Sequence, residues 1–338
     1  MKDKQTWKEF YEAAIAYRDL KPWEWMHDND IFGVQDPESG EIGYCCIMGN
    51  AGEVYALGLY PGDEGFKSYL LLLNQPDEIS MEDQFALGLN QIMLKVEFVD
   101  RSELSEKDLK QIKALGLKFR GRNQWVQARY HLPGTLGWPI NAEQAKRLTH
   151  ALRQACEVAA RYKENEDVIY GKGNKMLLRV PEQKEGQLNW KDKYVTPKGY
   201  NITPFPVIKP SPALVKKAKK ELGHSKGAIL FLFQYMRSQV KGDDGLPFLP
   251  RLALWITYPD GMIVSMEMLG REDGLEKLEA SFFKLVHQMG FIPRQIVFNS
   301  MMGSNALSRL AMELDIEMMY APEEKIFKEV MRSMDMFL

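Results

Sequence analysis

Apolar residues along the 338-residue chain fall into short runs whose spacing alternates between a helical and a strand-like period. Trp7, Phe10, Tyr11, Ala14 and Tyr17 recur every three or four positions, the spacing of one helix face. Thr6 with Glu9 three positions on gives a capping-box start, and Pro22 stops the run, so the pattern predicts a helix over 6–20. Strand-like segments follow at 30–35, 41–48 and 53–60, broken by Asp36-Pro-Glu-Ser-Gly40 and Gly49-Asn-Ala-Gly52. Both breaks have turn composition and are short, which predicts an antiparallel meander. Helices at 63–73 and near 81–90, a strand at 93–99, a helix at 105–115 capped by Ser105 and a strand at 124–131 continue the alternation. Asn141 then caps a long helix to about 163, with Leu148, Leu152, Ala155, Cys156 and Ala159 as its buried stripe.

From 166 to 212 the periodicity fades. Glycine, proline and lysine are frequent, only short strands are expected at 175–180 and 194–195, and Pro204, Pro206, Pro210 and Pro212 close the stretch. This reads as a basic connector. Beyond it come a lysine-rich helix at 212–222, an apolar strand at 228–235, and a hairpin of 252–258 and 262–268 around Pro259-Asp-Gly261. A helix at 275–289 carries Leu275, Leu278, Phe282, Leu285, Val286 and Met289 on one face. A strand at 295–299, a helix at 305–314, a strand at 317–320 and a helix from Pro322 to 334 complete the chain. Met301-Met-Gly-Ser-Asn305 reads as a loop, with Ser304 and Asn305 as caps of the helix after it. The expected fold class is α+β: an N-terminal domain over 1–165 with an antiparallel meander and helices, a connector over 166–212, and a C-terminal domain over 213–338 ordered β-β-β-α-β-α-β-α.

That last order is similar to the ribonuclease H-like fold, which implies later strands lying parallel to the first through right-handed crossovers. The resemblance further implies a carboxylate in the first strand and another after the fourth, holding two metal ions for phosphodiester cleavage. The chain departs from that pattern: Ala228-Ile-Leu-Phe-Leu-Phe-Gln-Tyr235 contains no acid, and the fourth strand ends in Asn299. The whole chain also resembles an uncharacterised bacterial two-domain family of unknown function. The residues that carry this resemblance are Trp7-x-x-Phe-Tyr11, Pro22-Trp-Glu-Trp25, Asp36-Pro-Glu-Ser-Gly-Glu41, Gly58-Leu-Tyr60, Leu132-Pro-Gly134 and Trp138-Pro139. It implies no catalytic residue.

Composition narrows the function classes. Three cysteines, Cys45, Cys46 and Cys156, make neither a disulfide framework nor a CxxC pair. The polar opening and the lack of an apolar run near 20 residues predict a cytoplasmic protein with no membrane partner. Alternation along 41–48 predicts one of Cys45 and Cys46 facing inward and one outward. His27, His131, His150, His224 and His287 form no HxxxH or HExxH pair, and GxSxG and GxxxxGK[ST] spacings are missing. No catalytic, cofactor-binding or metal-binding residue is therefore assigned, and no cofactor is expected.

The net charge of −2 conceals a basic stretch. Residues 168–226 hold thirteen Lys and Arg against four Asp and Glu, leaving the rest of the chain at −11. Lys216, Lys217, Lys219 and Lys220 share one short helix and are the candidate nucleic-acid contacts, with a solvated helix face as the plainer alternative. Trp23, Trp25 and Trp138 are the candidate partner surface, Trp25 and Trp138 because each sits in a loop beside prolines, with core packing as the alternative. Methionines at 301, 302, 312, 318, 319, 331, 334 and 336 read mainly as core filler. The leading reading is a non-enzymatic cytoplasmic binding or adaptor protein with a protein partner. The alternatives are a nucleic-acid-associated protein acting through 213–226, and an enzyme with an unrecognised site between the domains.

Overall fold

A computed structural model describes residues 2–76, 79–173, 175–197 and 205–335. In chain order the elements are α1 (Lys2–Leu20), β1 (Phe32–Gln35), β2 (Ile42–Met48), β3 (Ala56–Pro61), α2 (Gly62–Leu73), α3 (Met81–Leu89) and β4 (Met93–Val99). Then come α4 (Glu106–Ala114), β5 (Trp125–His131), β6 (Trp138–Pro139), α5 (Ala142–Glu164), β7 (Tyr170–Gly171), β8 (Lys175–Lys184) and β9 (Gln187–Val195). They are followed by α6 (Pro212–Glu221), β10 (Gly223–His224), β11 (Ala228–Tyr235), β12 (Val240–Lys241), β13 (Pro247–Phe248), β14 (Arg251–Thr257) and β15 (Ile263–Leu269). The last are α7 (Glu276–Met289), β16 (Phe291–Ile292), β17 (Gln295–Phe298), α8 (Met301–Glu313), β18 (Glu317–Tyr320) and α9 (Lys325–Asp335). The protein is α+β, with an antiparallel sheet at its N-terminal side.

Contacts divide the chain into two compact units, and the chain passes between them more than once. Met1–Leu73, Gln91–Leu132 and Leu136–Asn201 form the first; Asn74–Asn90, Pro133–Thr135 and Ile202–Leu338 form the second. Two assignments differ from the sequence reading. The stretch read as a connector carries β7, β8 and β9 of the first unit's sheet, and its residues 198–204 lie outside the described residues. The helix near 81–90, read as part of the N-terminal domain, is α3 and packs on α8 and β11 of the second unit.

In the first unit the strand order is β6-β5-β4-β3-β2-β1-β8-β7, with β9 on β8. Neighbours run antiparallel except β1 and β8, which are parallel. One face is covered by α1 and α5, whose Phe10, Ala14, Tyr17, Leu148, Leu152 and Ala155 share a core with Phe32, Cys45, Ile47, Leu57, Val96 and Leu177. On the other face, Phe66 and Tyr69 of α2 pack on Tyr44, Cys46, Tyr60 and Met93. Strand alternation therefore holds at Cys45 and Cys46, but both thiols are buried because both faces are covered, and burial pushes both thiols up in pKa. The expected outward cysteine does not exist. Each fully buried Phe, Ile or Leu in such a core contributes about 1.5–3 kcal/mol relative to exposure.

The β8–β9 hairpin is tied to α5 by a charge network as well as by the apolar contacts of Leu177 and Trp190. Arg179 on β8 is buried. Its Nε donates to Gln154 Oε1 at 2.8 Å and its Nη2 to Glu157 at 2.6 Å, both on α5, while Nη1 meets Asp192 on β9. Arg161 closes the network by also donating to Asp192. Burial would raise the Asp192 carboxyl, but hydrogen bonds from Arg161 and Arg179 outweigh it and hold the pKa below the ordinary carboxylate value.

The second unit is built on a five-stranded sheet of order β15-β14-β11-β17-β18. β15, β14 and β11 run antiparallel; β11, β17 and β18 run parallel, as the crossovers through α7 and α8 allow. Phe231, Trp255 and Phe298 face α7, where the Trp255 indole packs at a tilt against Phe282 and donates to the Ser281 hydroxyl at 3.1 Å. Leu230, Leu232, Leu254 and Ile256 on the opposite face pack on Phe327 and Val330 of α9. α8 begins earlier than the sequence suggests. Ser300, not Ser304 or Asn305, is its cap, accepting from the Gly303 N–H at 3.1 Å, so Met301–Asn305 is the first helical turn. Of the methionines read as filler, Met302 is buried, Met312, Met318 and Met319 are exposed, and Met336 lies outside the described residues.

Two outcomes follow for the first unit. Arg179→Ala removes the Arg179 donor of the buried Gln154 Oε1, while Arg161 still pairs with Asp192 and Glu157, and costs about 2 kcal/mol, read as a lower urea midpoint; an unchanged midpoint shows the network to be ornamental. Because the Asp192 pKa is depressed on folding, its contribution is complete above about pH 4 and is lost as pH falls through the folded value. Asp192→Asn should therefore flatten the acid limb of a stability-against-pH curve, and an identical acid limb rules this out.

Candidate functional site

Within the first unit, α1, α4, β5 and the segment entering α5 line an open cavity of about 490 Å³. That volume is in the range of small-molecule sites. Trp7, Phe10 and Tyr11 come from α1, where i, i+3, i+4 spacing turns all three to one side. Ala114 and Leu115 come from the end of α4, Ala128 from β5, and Pro139 and Ile140 from the turn before α5. Phe10 and Tyr11 are buried and meet edge-to-face at 5.2 Å; Trp7 is half-buried and meets Phe10 edge-on at 5.9 Å. The lining is therefore aromatic and aliphatic on one side.

The polar groups of the cavity are Lys4, Lys107, Asp108 and Gln111. Asp108 is already committed. It forms a capping box with Ser105 at the start of α4 and takes two hydrogen bonds from the Arg129 guanidinium, at 3.0 and 2.6 Å. Burial would raise its pKa, but the bonds from Arg129 and Ser105 prevail and hold it low. Burial, reinforced by the Asp108 charge, pushes the Tyr11 phenol up, so it stays protonated. Lys4 and Lys107 are exposed. The arrangement suits a guest with a flat apolar body and an anionic end: rings to contact the body, ammonium groups for the charge, and an internal carboxylate already neutralised by Arg129.

In the second unit, β17 ends at Phe298, opposite Phe231 of the parallel strand β11, which runs on to Tyr235; the carboxyl ends of such strands are where open sheets hold ligands. The side chains there are amides. Asn299 Nδ2 donates to Gln234 Oε1 at 2.9 Å, and Asn299 Oδ1 accepts from the Phe233 N–H at 2.9 Å. The buried acid of this region, Asp83 on α3, caps α8: it accepts from the Met301 N–H at 2.7 Å, the Tyr320 hydroxyl at 2.8 Å and the Ser80 hydroxyl at 2.9 Å. Burial raises its pKa despite those bonds. A hollow of about 160 Å³ beside Gln234 is lined by Tyr235, Met236, Arg237, Leu252 and Met331. Two neutral amides do not supply the carboxylate oxygens that a pair of hard divalent cations requires. Among the described residues no group of three or more His, Cys, Asp or Glu is placed to hold a metal ion.

The residues singled out from sequence are not gathered in one place. Trp23 is buried among Tyr17, Tyr55 and Phe98 and presents no surface. Trp25 is half-buried, its indole N–H donating to the Ala159 carbonyl at 2.9 Å and its ring under Lys163 at 4.4 Å. Trp138 is half-buried in β6, paired with Tyr130. Lys216, Lys217, Lys219 and Lys220 are all exposed on α6, opposite buried Val215 and Ala218, and Lys219 pairs with Asp315 at 3.3 Å. Trp7, Tyr11, Lys107 and Gln111 escaped the sequence reading as a set because their segments lie about a hundred residues apart. The one available signal was the doubled stripe on α1, where Trp7 and Tyr11 extend the aromatic face beyond what a core helix needs.

Comparison with known proteins gives families without functions. No curated protein matches the chain. A model described as "Domain of unknown function (DUF6930)" matches residues 214–335. One solved structure with a similar chain is titled "CryoEM structure of simian T-cell lymphotropic virus intasome in complex with PP2A regulatory subunit B56 gamma". The identity is 11%, the TM-score 0.24, and the alignment covers 32% of this chain and 39% of that one. This chain thus spans well under two thirds of its length, and a likeness at that TM-score carries no argument about fold or function. A second family model matches residues 7–179, just over half of the chain. The chain belongs to the family described as "Domain of unknown function (DUF7309)".

Proposed function

We propose that this is a non-enzymatic binding protein whose first unit takes the flat apolar part of an anionic guest, either a free small molecule or a side chain presented by a protein partner. The observation that carries the reading is the cavity of about 490 Å³, with Trp7, Phe10, Tyr11 and Ile140 in its lining and Lys4 and Lys107 beside them. We read the second unit as a ribonuclease H-like scaffold, on the strand order β15-β14-β11-β17-β18 with three antiparallel and then parallel neighbours. Gln234 and Asn299 stand where that fold's nucleases place carboxylates, which supports a binding or structural role over cleavage. Three free thiols, two of them deep in the sheet, fit a reducing compartment such as the cytoplasm.

The second reading, nucleic-acid binding through α6, rests on its four exposed lysines. It is weaker, since lysines on one short helix supply charge without any group to read bases.

8-Anilinonaphthalene-1-sulfonate is a direct probe, being aromatic and anionic. It should bind the folded protein at one site with a saturable rise in fluorescence. Ala114→Trp, which fills the cavity, should weaken binding at least tenfold at unchanged circular dichroism, and Lys107→Glu should weaken it severalfold. Saturation untouched by Ala114→Trp contradicts the assignment. For the second reading, binding to single- and double-stranded DNA and RNA is titrated against salt. Affinity that falls steeply with salt and disappears when Lys216, Lys217, Lys219 and Lys220 are all replaced by Glu supports it; no binding at low salt excludes it.

A further inference from the structure

The wall of the cavity in the first unit holds one polar group that the fold leaves unused. Tyr11 is 4% exposed and borders the cavity. Its ring is held by packing, with Phe10 at 5.2 Å and Phe119 at 6.3 Å. Its hydroxyl has no hydrogen-bond partner among the described residues; the charges that act on it are those of Asp108 and Arg129, with Asp108 the stronger. Buried Tyr17, Tyr69 and Tyr235 instead spend their hydroxyls on the Ala56 carbonyl, the Asp28 carbonyl and the Asn90 amide oxygen. Asp108 does not serve Tyr11, because its oxygens already take bonds from both Arg129 Nη atoms and from the Ser105 hydroxyl and N–H. Nor is the Tyr11 oxygen sealed in protein, as the unpartnered His131 Nε2 is, and the space that Tyr11 borders is the cavity.

We propose that Tyr11 selects the guest, donating its hydroxyl to a neutral acceptor, a ring nitrogen or ring carbonyl, on a fused two-ring aromatic acid. This rests on the binding reading of the cavity and adds what the guest must carry. Water entering the open cavity can meet the hydroxyl, and a guest that displaces it must replace the bond or lose affinity. A hydrocarbon ring strands a buried hydroxyl and binds about tenfold more weakly than one that accepts its proton. The acceptor is neutral because Asp108 outweighs Arg129 at this point and disfavours a second negative charge. The anionic end of the guest is thereby directed away from Tyr11, to exposed Lys4. Spacing along α1 sets the size. Lys4, Trp7 and Tyr11 stand at i, i+3 and i+7 on one face, and seven residues of helix rise about 10 Å. Two fused rings with a carboxylate at one end cover that span with the reach of the lysine stem, and their face lies against Trp7.

Isothermal titration calorimetry of the full chain at neutral pH tests this with naphthalene-2-carboxylate, which has no ring acceptor, and its analogues with one nitrogen in the far ring. These are quinoline-6-, quinoline-7-, isoquinoline-6- and isoquinoline-7-carboxylate. At least one aza acid should bind tenfold or more tighter than naphthalene-2-carboxylate, and Tyr11→Phe should cut that ratio to about threefold or less. Tyr11→Phe should also leave the urea midpoint of the free protein no lower, since the hydroxyl makes no bond within it. A lowered midpoint gives the hydroxyl a structural role and overturns the proposal, as does a ratio that survives Tyr11→Phe. Naphthalene-2-carboxylate binding that Ala114→Trp weakens, with no aza acid preferred, overturns the acceptor proposal and leaves the cavity as a binding site. Binding by none of the acids, or binding indifferent to Ala114→Trp, overturns the cavity reading and this proposal with it.

Discussion

Coverage of both sheet faces is the constraint from which the rest of the architecture follows. In the first unit α1 and α5 take one face and α2 the other; in the second α7 and α9 do the same. A doubly covered strand has no outward side, so Tyr44, Cys45, Cys46 and Ile47 are consecutive buried residues on β2. Trp255 with Leu254 and Ile256 shows the same behaviour on β14. Departures from full coverage are then informative. The hairpin of β8 and β9 extends past its covering helix, the cavity opens where α1, α4 and β5 meet, and β15 extends past α9.

Each departure is handled differently. Against the middle of α5, Arg179 adds a polar attachment beside the apolar core: a guanidinium can satisfy Gln154, Glu157 and Asp192 at once. At the cavity, Asp108 is neutralised by Arg129 and capped to Ser105, so the space beside it stays open without an unpaired charge in its wall. At the carboxyl end of β11, Gln234 and Asn299 satisfy each other. The polar groups of both units are thus largely spent on structure, and the cavity is where apolar surface and available ammonium groups coincide.

Strongly periodic segments were legible in the sequence. The stripe of α5 from Leu148 to Ala159 and the apolar runs of β11 and β14 fix their elements, because each has one buried solution. β9 was legible only at 194–195: Gln187-Leu-Asn-Trp-Lys-Asp-Lys-Tyr-Val195 is mostly exposed and is held by backbone pairing, by Asp192 and by Trp190 against the core, which together leave no hydrophobic period. The allegiance of α3 was equally hidden, since chain order places it among N-terminal elements while Asp83 caps a helix more than two hundred residues later. The candidate site escaped for the same reason, being assembled from four segments whose individual residues look like ordinary core and surface.

The most direct test of a binding role centred on the cavity is nuclear magnetic resonance mapping of the full chain during titration with 8-anilinonaphthalene-1-sulfonate. The account predicts that the Trp7 indole N–H and the backbone amides of Gln111, Ala114 and Leu115 shift first and saturate together. Saturating shifts confined to other residues, with these four unmoved, would contradict it.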